Sequence, residues 1–160
     1  MVQKDLIGTS AAIRQTDEEV MWAARSDAKV LLTGESGVGK EVVARLIHER
    51  SQRSRQPLVT INCAGVPDSL LASELFGHAR GSFTDAHRDR AGWLEQAHRG
   101  TVFLDEVGEM SLQMQALLLR FLESGEIQRV GHEGRLQKVD VRVICATNRM
   151  LLDRVKSGEF

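Results

Sequence analysis

Lys29-Val30-Leu31-Leu32-Thr33-Gly34-Glu35-Ser36-Gly37-Val38-Gly39-Lys40-Glu41 is the run whose reading decides the fold. Its first five residues make a short apolar strand. A glycine-rich turn follows, and behind it Val42, Val43, Leu46 and Ile47 recur at helical spacing. Strand, GxxxxGK turn and helix, in that order, form a phosphate loop. The glycines let the backbone wrap an anion with successive N–H groups pointing inward. The helix contributes the positive end of its dipole, and Lys40 a point charge for the β- and γ-phosphates of a nucleotide. Glu41 stands where such loops usually carry Ser or Thr. A hydroxyl ligand for Mg2+ is therefore missing, and the metal must lean on an acidic residue, water and nucleotide oxygens.

Outward from this run, strands alternate with helices. Ser10 can cap a helix reaching about Ala24. Leu58-Val59-Thr60-Ile61, Thr101-Val102-Phe103-Leu104 and Val141-Arg142-Val143-Ile144-Cys145 read as further strands, each a continuous apolar run of the kind buried on both faces. Ser111 can cap a helix from Leu112 to Glu123, with Gly125 ending it, and Glu126 to Val139 reads as a hairpin. The pattern predicts one α/β domain over residues 1–160, in three layers, with a mostly parallel central sheet, helices on both faces and loop insertions. Gly77 to Gly92, polar and charge-rich, interrupts it; long segments of that kind are usually functional or mobile.

Val102-Phe103-Leu104-Asp105-Glu106 is an apolar strand ending in two carboxylates, about 65 residues after the phosphate loop. Ligand sites of such sheets lie at the carboxyl ends of the strands. Asp105 can hold Mg2+ there, and Glu106 can orient a water for in-line attack on a γ-phosphate. Asn148, ending the Val141 strand, can reach the same place. Asn62, ending the Leu58 strand, is placed equivalently; cap and functional group are equal readings of it.

The bulk numbers exclude more than they assign. Net charge is −1 over 160 residues, with 42% hydrophobic and 27% charged residues, so overall charge gives no sign of a polyanion binder. Arg45, Arg50, Arg53 and Arg55 form a local basic patch that reads as a solvated helix end and loop. Cys63 and Cys145 are not a CxxC pair and read as buried reduced thiols. No apolar run approaches the ~20 residues of a membrane helix, and the N-terminus lacks a leader's apolar core. The expected location is the cytoplasm, with no membrane partner.

These motifs resemble the AAA+ central domain of bacterial enhancer-binding proteins, the NtrC-like activators of sigma-54 RNA polymerase. Residues 34–41 are similar to the family's GESGTGKE, Glu41 included. Asn62-Cys63-Ala64 resembles its NCA motif, and Ser73-Glu74-Leu75-Phe76-Gly77-His78 its SELFGH segment. Gly100 to Glu106 resembles GGTLFLDE, with Arg99 where glycine is frequent, and Val141 to Asn148 resembles VRVIAATN. The resemblance implies an ATPase with ATP and Mg2+ as cofactors. Asp105 and Glu106 are then the Walker B pair, Asn148 is sensor I, and Asn62 is a switch partner that holds or frees Glu106. Ile7 and Gly8 fall in the segment that covers the adenine. Gly81-Ser82-Phe83-Thr84-Asp85-Ala86 aligns with the loop GAFTGA, which touches the sigma factor, and the 126–139 hairpin with a second moving loop. Ser82 for Ala is a small departure. Asp85 for Gly costs backbone freedom and adds a charge, while Phe83 and Thr84 keep the contact plausible.

Family members form ring-shaped homo-oligomers, typically hexamers. They continue with arginine fingers, a helical lid and a DNA-binding domain, so the resemblance also implies that this stretch is a fragment, without lid or DNA-binding part, and hydrolyses ATP weakly alone. Two further readings keep the phosphate loop but change the role. One is an AAA+ module with another client. The other is a nucleotide-gated assembly module that no longer contacts sigma-54.

Overall fold

The computed structural model describes residues 6–82, 88–132 and 136–160. Of the candidate partner loop, Gly81 and Ser82 are described, and Phe83, Thr84, Asp85 and Ala86 lie outside the described residues. Ser10 caps α1 (Ala11–Ala24), its hydroxyl accepting from the Ile13 N–H at 3.3 Å. The chain continues through β1 (Val30–Thr33), α2 (Lys40–Glu49), β2 (Leu58–Asn62), α3 (Asp68–Phe76), β3 (Gly77–His78), β4 (Arg90–Ala91), α4 (Trp93–Gln96) and β5 (Thr101–Asp105). A single 3-10 turn, Val107–Glu109, precedes α5 (Leu112–Ser124), β6 (Glu126–Ile127), β7 (Gln137–Lys138), β8 (Arg142–Thr147) and α6 (Leu151–Ser157). Ser111 caps α5 through the Met114 N–H, and Gly125, at φ 69°, closes it by donating to the Phe121 carbonyl.

Four strands form one parallel sheet in the order β1-β8-β5-β2. Alternation along each strand splits the core in two. Phe103, Ile144 and Ala146 face Val20 of α1 and Ala44 and Ile47 of α2. Val102, Leu104 and Val143 face Leu71, Leu94, Met114 and Phe121 on the opposite side. Phe103 and Ile144 are 1% and 0% exposed; burial of that extent contributes about 1.5–3 kcal/mol per side chain. The three-layer expectation holds. The expectation of strands buried on both faces holds for β5 and β8 but not at the margins. β1 and β2 are edge strands, and Leu31 is 51% exposed.

The basic patch is not the solvated run its composition suggests. Arg53 donates to Asp27 (3.1 and 2.8 Å), to Asp140 Oδ1 (2.7 Å) and to the Gly100 carbonyl (3.3 Å), tying three connections together at the amino end of the sheet. Arg50 pairs with Asp17 at 2.6 Å and Arg45 with Glu41 at 3.2 Å. The same end holds Arg99, whose φ is +65°. Left-handed backbone costs an L-residue roughly 1–2 kcal/mol. We therefore expect Arg99→Gly to raise stability by roughly 0.5–1 kcal/mol, after the entropy that glycine adds to the unfolded chain, measured by urea unfolding. A lower midpoint would show that the Arg99 side chain outweighs the backbone term.

The interrupting segment begins and ends in an antiparallel pair, β3 with β4. Two glycines cross at its base. A Cβ on Gly92 would stand 2.4 Å from the Gly77 nitrogen and 2.4 Å from the Leu75 carbonyl oxygen. The 126–139 hairpin, observed as β6 with β7, is bonded to this base through backbone: Val130 N–H to the Gly77 carbonyl (2.9 Å) and Ala79 N–H to the Val130 carbonyl (3.0 Å). Ser73 and His78 are both buried and joined at 2.8 Å.

Candidate nucleotide-binding site

The phosphate loop leaves β1 and enters α2 with Gly37 at φ 80° and Gly39 at φ 97°, conformations that glycine adopts without penalty. A Cβ at either position would meet nothing within 4 Å among the described residues, so the positive φ and not crowding is what calls for glycine there. Glu35, Ser36 and Val38 complete the turn, and Val38 is 62% exposed. Lys40 begins α2 and is only 9% exposed. Its Nζ donates to the Gly34 and Glu35 carbonyls, each at 3.0 Å, and lies 3.5 Å from Glu106 Oε1. Glu41 lies in the first turn of α2, where it favours the helix dipole, and pairs with Arg45 rather than with the loop.

The sheet order explains how distant motifs meet. β8 lies beside β1 and β5 beside β8, so Thr147-Asn148 and Asp105-Glu106 end next to the phosphate loop. β2 follows β5, with Asn62 in register with Asp105. Glu106 ties the group together. One carboxylate oxygen meets Lys40; the other accepts from the Asn148 N–H at 3.0 Å. Its backbone sits at φ 55°, ψ 45°, one of two non-glycine residues with positive φ among the described ones. Such strain gathers at functional sites. Asp105 Oδ1 accepts from the Glu106 N–H at 3.0 Å.

Asn62, Ile7 and Gly8 lie outside the bonds that join Lys40, Glu106 and Asn148 among the described residues. Asn62 does not hold Glu106 in this structure; its Oδ1 accepts from the Ala64 N–H at 2.9 Å, the turn-forming bond that the cap reading predicts. Ile7 is 78% exposed and Gly8, at φ 141°, packs toward Ile13. A cleft of about 540 Å³ extends from Val38 and Lys40 along β1 to Thr16, Glu19 and Val20 of α1. In the candidate partner loop, Ser82 has a buried hydroxyl that finds no bond among the described residues, and a Cβ on Gly131 would fall 2.3 Å from the Ser82 Cβ.

Sequence reasoning missed Arg149 and Glu109, paired at 2.5 Å beside Glu106. That bond holds the Glu109 carboxyl below its ordinary range. Nothing local marks the pair, because its members are 40 residues apart. Cys63 and Cys145 are free, and burial pushes both thiols up to about 12.

The donor set fits a magnesium nucleotide. A buried ammonium, loop amides and a helix N-terminus suit phosphates. Among the described residues no group of three or more His, Cys, Asp or Glu side chains could hold a metal alone. One or two carboxylates completed by phosphate oxygens is how Mg2+ is usually held.

Residues 6–160 match the model of the sigma-54 interaction domain. The anaerobic nitric oxide reductase transcription regulator NorR of Escherichia coli strain K12 is 52% identical over 158 residues, 99% of this chain and 31% of that protein. Crystal structures of NtrX from Brucella abortus superpose with TM-scores of 0.89 in complex with ADP and 0.88 in complex with ATP, both at 37% identity over 99% of this chain, and cover 34% and 35% of the NtrX chain. The P-loop NTPase domain of an Escherichia coli sigma-54 activator shares the fold at a TM-score of 0.60 and 21% identity, over 96% of this chain and 87% of that one. The chain thus spans about a third of the relatives it matches, NorR and NtrX. With its phosphate loop and paired carboxylates gathered at one end of a parallel sheet, it belongs to the sigma-54 interaction domain family, the AAA+ domain of sigma-54-dependent activators.

Proposed function

We propose that this domain binds ATP with Mg2+ and hydrolyses it, and that the larger protein uses the cycle to remodel sigma-54 RNA polymerase holoenzyme at promoters. The observation that carries the reading is the 3.5 Å approach of Lys40 Nζ to Glu106 Oε1, which joins the phosphate loop to the acidic strand end. In this reading Lys40 and the loop amides from Gly34 to Gly39 bind the phosphates, and Ile7 and Gly8 cover the base. Asp105 would hold Mg2+, which when bound neutralises charge building on the phosphate oxygens. Glu106 orients the attacking water and Asn148 fixes the Glu106 carboxylate through its own N–H. Asn62 is the alternative partner to which Glu106 can turn. The 77–92 loop, with Gly81 to Ala86 at its centre, meets the sigma factor and the 126–139 hairpin supports it. Ring assembly of the larger protein into a homo-oligomer, a hexamer, belongs to the same proposal, as do a cytoplasmic location and DNA contact through a separate C-terminal domain. No described helix is long and apolar enough to cross a membrane.

Glu106→Gln tests the chemistry. The isosteric amide keeps the site's shape but loses the charge that polarises water, and removing a general base costs about 10²–10⁴-fold. Single-turnover hydrolysis should fall in that range while ATP affinity, by calorimetry, stays within a few-fold. Unchanged hydrolysis would remove Glu106 from its role. Capture of sigma-54 by the domain only in the presence of an ATP transition-state analogue tests the partner; no capture in any nucleotide state favours a nucleotide-gated module or another client.

A further inference from the structure

We infer that Arg149 is a positioning residue for Glu106, acting through a clamp on the 3-10 turn Val107–Glu109. This rests on the reading of Glu106 as the group that orients the attacking water. The inference begins with the strained backbone. Glu106 is held at φ 55° directly before the turn, a conformation an L-residue keeps only when its surroundings impose it. The turn is packed closely against its neighbour. A Cβ on Gly108 would stand 2.6 Å from Thr147 Oγ1 and 3.0 Å from the Arg149 Cβ, so the turn's backbone lies directly on the Thr147–Arg149 segment.

Two bonds reach the turn, one from this segment and one from α6, and a third braces the segment itself. Arg149 Nε donates to Glu109 Oε1 at the far end of the turn, at 2.5 Å. Arg149 N–H donates to Thr147 Oγ1 at 3.0 Å. Arg154 Nη1 of α6 donates to the Gly108 carbonyl. Between these ties sits Asn148, whose N–H holds the Glu106 carboxylate at 3.0 Å. Arg149 therefore closes a short circuit. It grips the residue three places after Glu106 while its own neighbour grips the Glu106 side chain, so backbone and carboxylate of Glu106 are fixed from one segment. Stability alone is a poor account of the pair. The Arg149 and Glu109 side chains are 48% and 29% exposed, and ion pairs that solvent reaches so freely add little to stability. The pair's main effect is geometric.

Single-turnover hydrolysis, ATP affinity and amide hydrogen exchange should be measured on the wild type, Arg149→Ala, Glu109→Gln and the swapped double variant Glu109→Arg with Arg149→Glu, with Glu106→Gln as the benchmark. A misplaced catalytic group can cost up to about 10²-fold; we expect hydrolysis to fall about tenfold or more in Arg149→Ala and Glu109→Gln and to recover in the swap. ATP affinity should stay within about twofold, since neither side chain contacts the phosphate loop. Exchange of the Asn148 amide should quicken about tenfold, because local opening frees it. Unchanged Asn148 exchange in Arg149→Ala, or rate and affinity falling together, would overturn the inference. Wild-type protein without turnover, or Glu106→Gln hydrolysing normally, would instead sink the catalytic reading of Glu106, and the Asn148 exchange alone would then decide whether Arg149 positions it.

Discussion

Replacing Lys40 with alanine should lower the affinity for ATP and ADP at least about 100-fold, a change of roughly 2.7 kcal/mol. The argument is electrostatic. Lys40 is 9% exposed, and its ammonium is held by two loop carbonyls and Glu106. A charge fixed in a partly dry site does not reorganise to meet a phosphate, and charge-assisted hydrogen bonds are worth roughly 1.5–3 kcal/mol each. The same substitution leaves Glu106, with a side chain 14% exposed, without its cation. Some loss of stability is therefore expected, and the comparison needs protein shown to be folded by circular dichroism at the titration temperature. Calorimetry with Mg-ATP and Mg-ADP checks the result. Equal uptake by folded Lys40→Ala would mean that nucleotide binds elsewhere, and the proposed site would be lost with it.

The second large effect is mechanical. Gly92→Ala should destabilise the domain by roughly 3 kcal/mol, the range of serious overpacking, lowering the thermal midpoint by about 6–12 °C at 2–4 °C per kcal/mol. Gly92 has an ordinary φ of −76°, so backbone preference is not the cause. The cause is collision: the new methyl would stand 2.4 Å from the Gly77 nitrogen and the Leu75 oxygen and 2.5 Å from the Phe76 carbonyl carbon, all of them backbone. Main-chain atoms cannot rotate away as a flexible side chain does. Gly81→Ala is the control. It has positive φ, 82°, but nothing among the described residues within 4 Å of a new Cβ, so the smaller left-handed cost of roughly 1–2 kcal/mol is the one expected. If both variants melt together, the crossing of the two chain segments is looser than described.

What could be read from the sequence follows a physical division. The phosphate loop was legible because phosphate binding needs glycines and a lysine within one turn, and the strand ends because apolar runs stop abruptly at Asp105 and Asn148. Ser10, Ser111 and Gly125 announced the helix ends they make. α3 escaped notice. Its N-cap is Pro67, with no side-chain cap bond, and its apolar residues do not gather on one face: Leu71, Leu75 and Phe76 are buried, as is polar Ser73, while Leu70 is exposed. No local rule marks such a helix. The long-range pairings were equally silent: Glu106 with Asn148 spans 42 residues and Arg53 with Asp140 spans 87. The reading of Arg53 as solvated went astray for that reason, since its three acceptors come from other parts of the chain. Asn62 illustrates the opposite case. The sequence allowed two roles, and the structure displays the turn-forming one.

The lashing of the 126–139 hairpin to the foot of the 77–92 loop carries a consequence for how this domain can change over time. Both bonds, Val130 to Gly77 and Ala79 to Val130, run from amide to carbonyl. Amides and carbonyls are supplied by every residue but proline on the donor side. These two bonds therefore make no demand on the side chains at Ala79 and Val130 as long as Gly77 and Gly92 keep their close approach, so the outer parts of the two segments can vary in sequence above an unaltered junction.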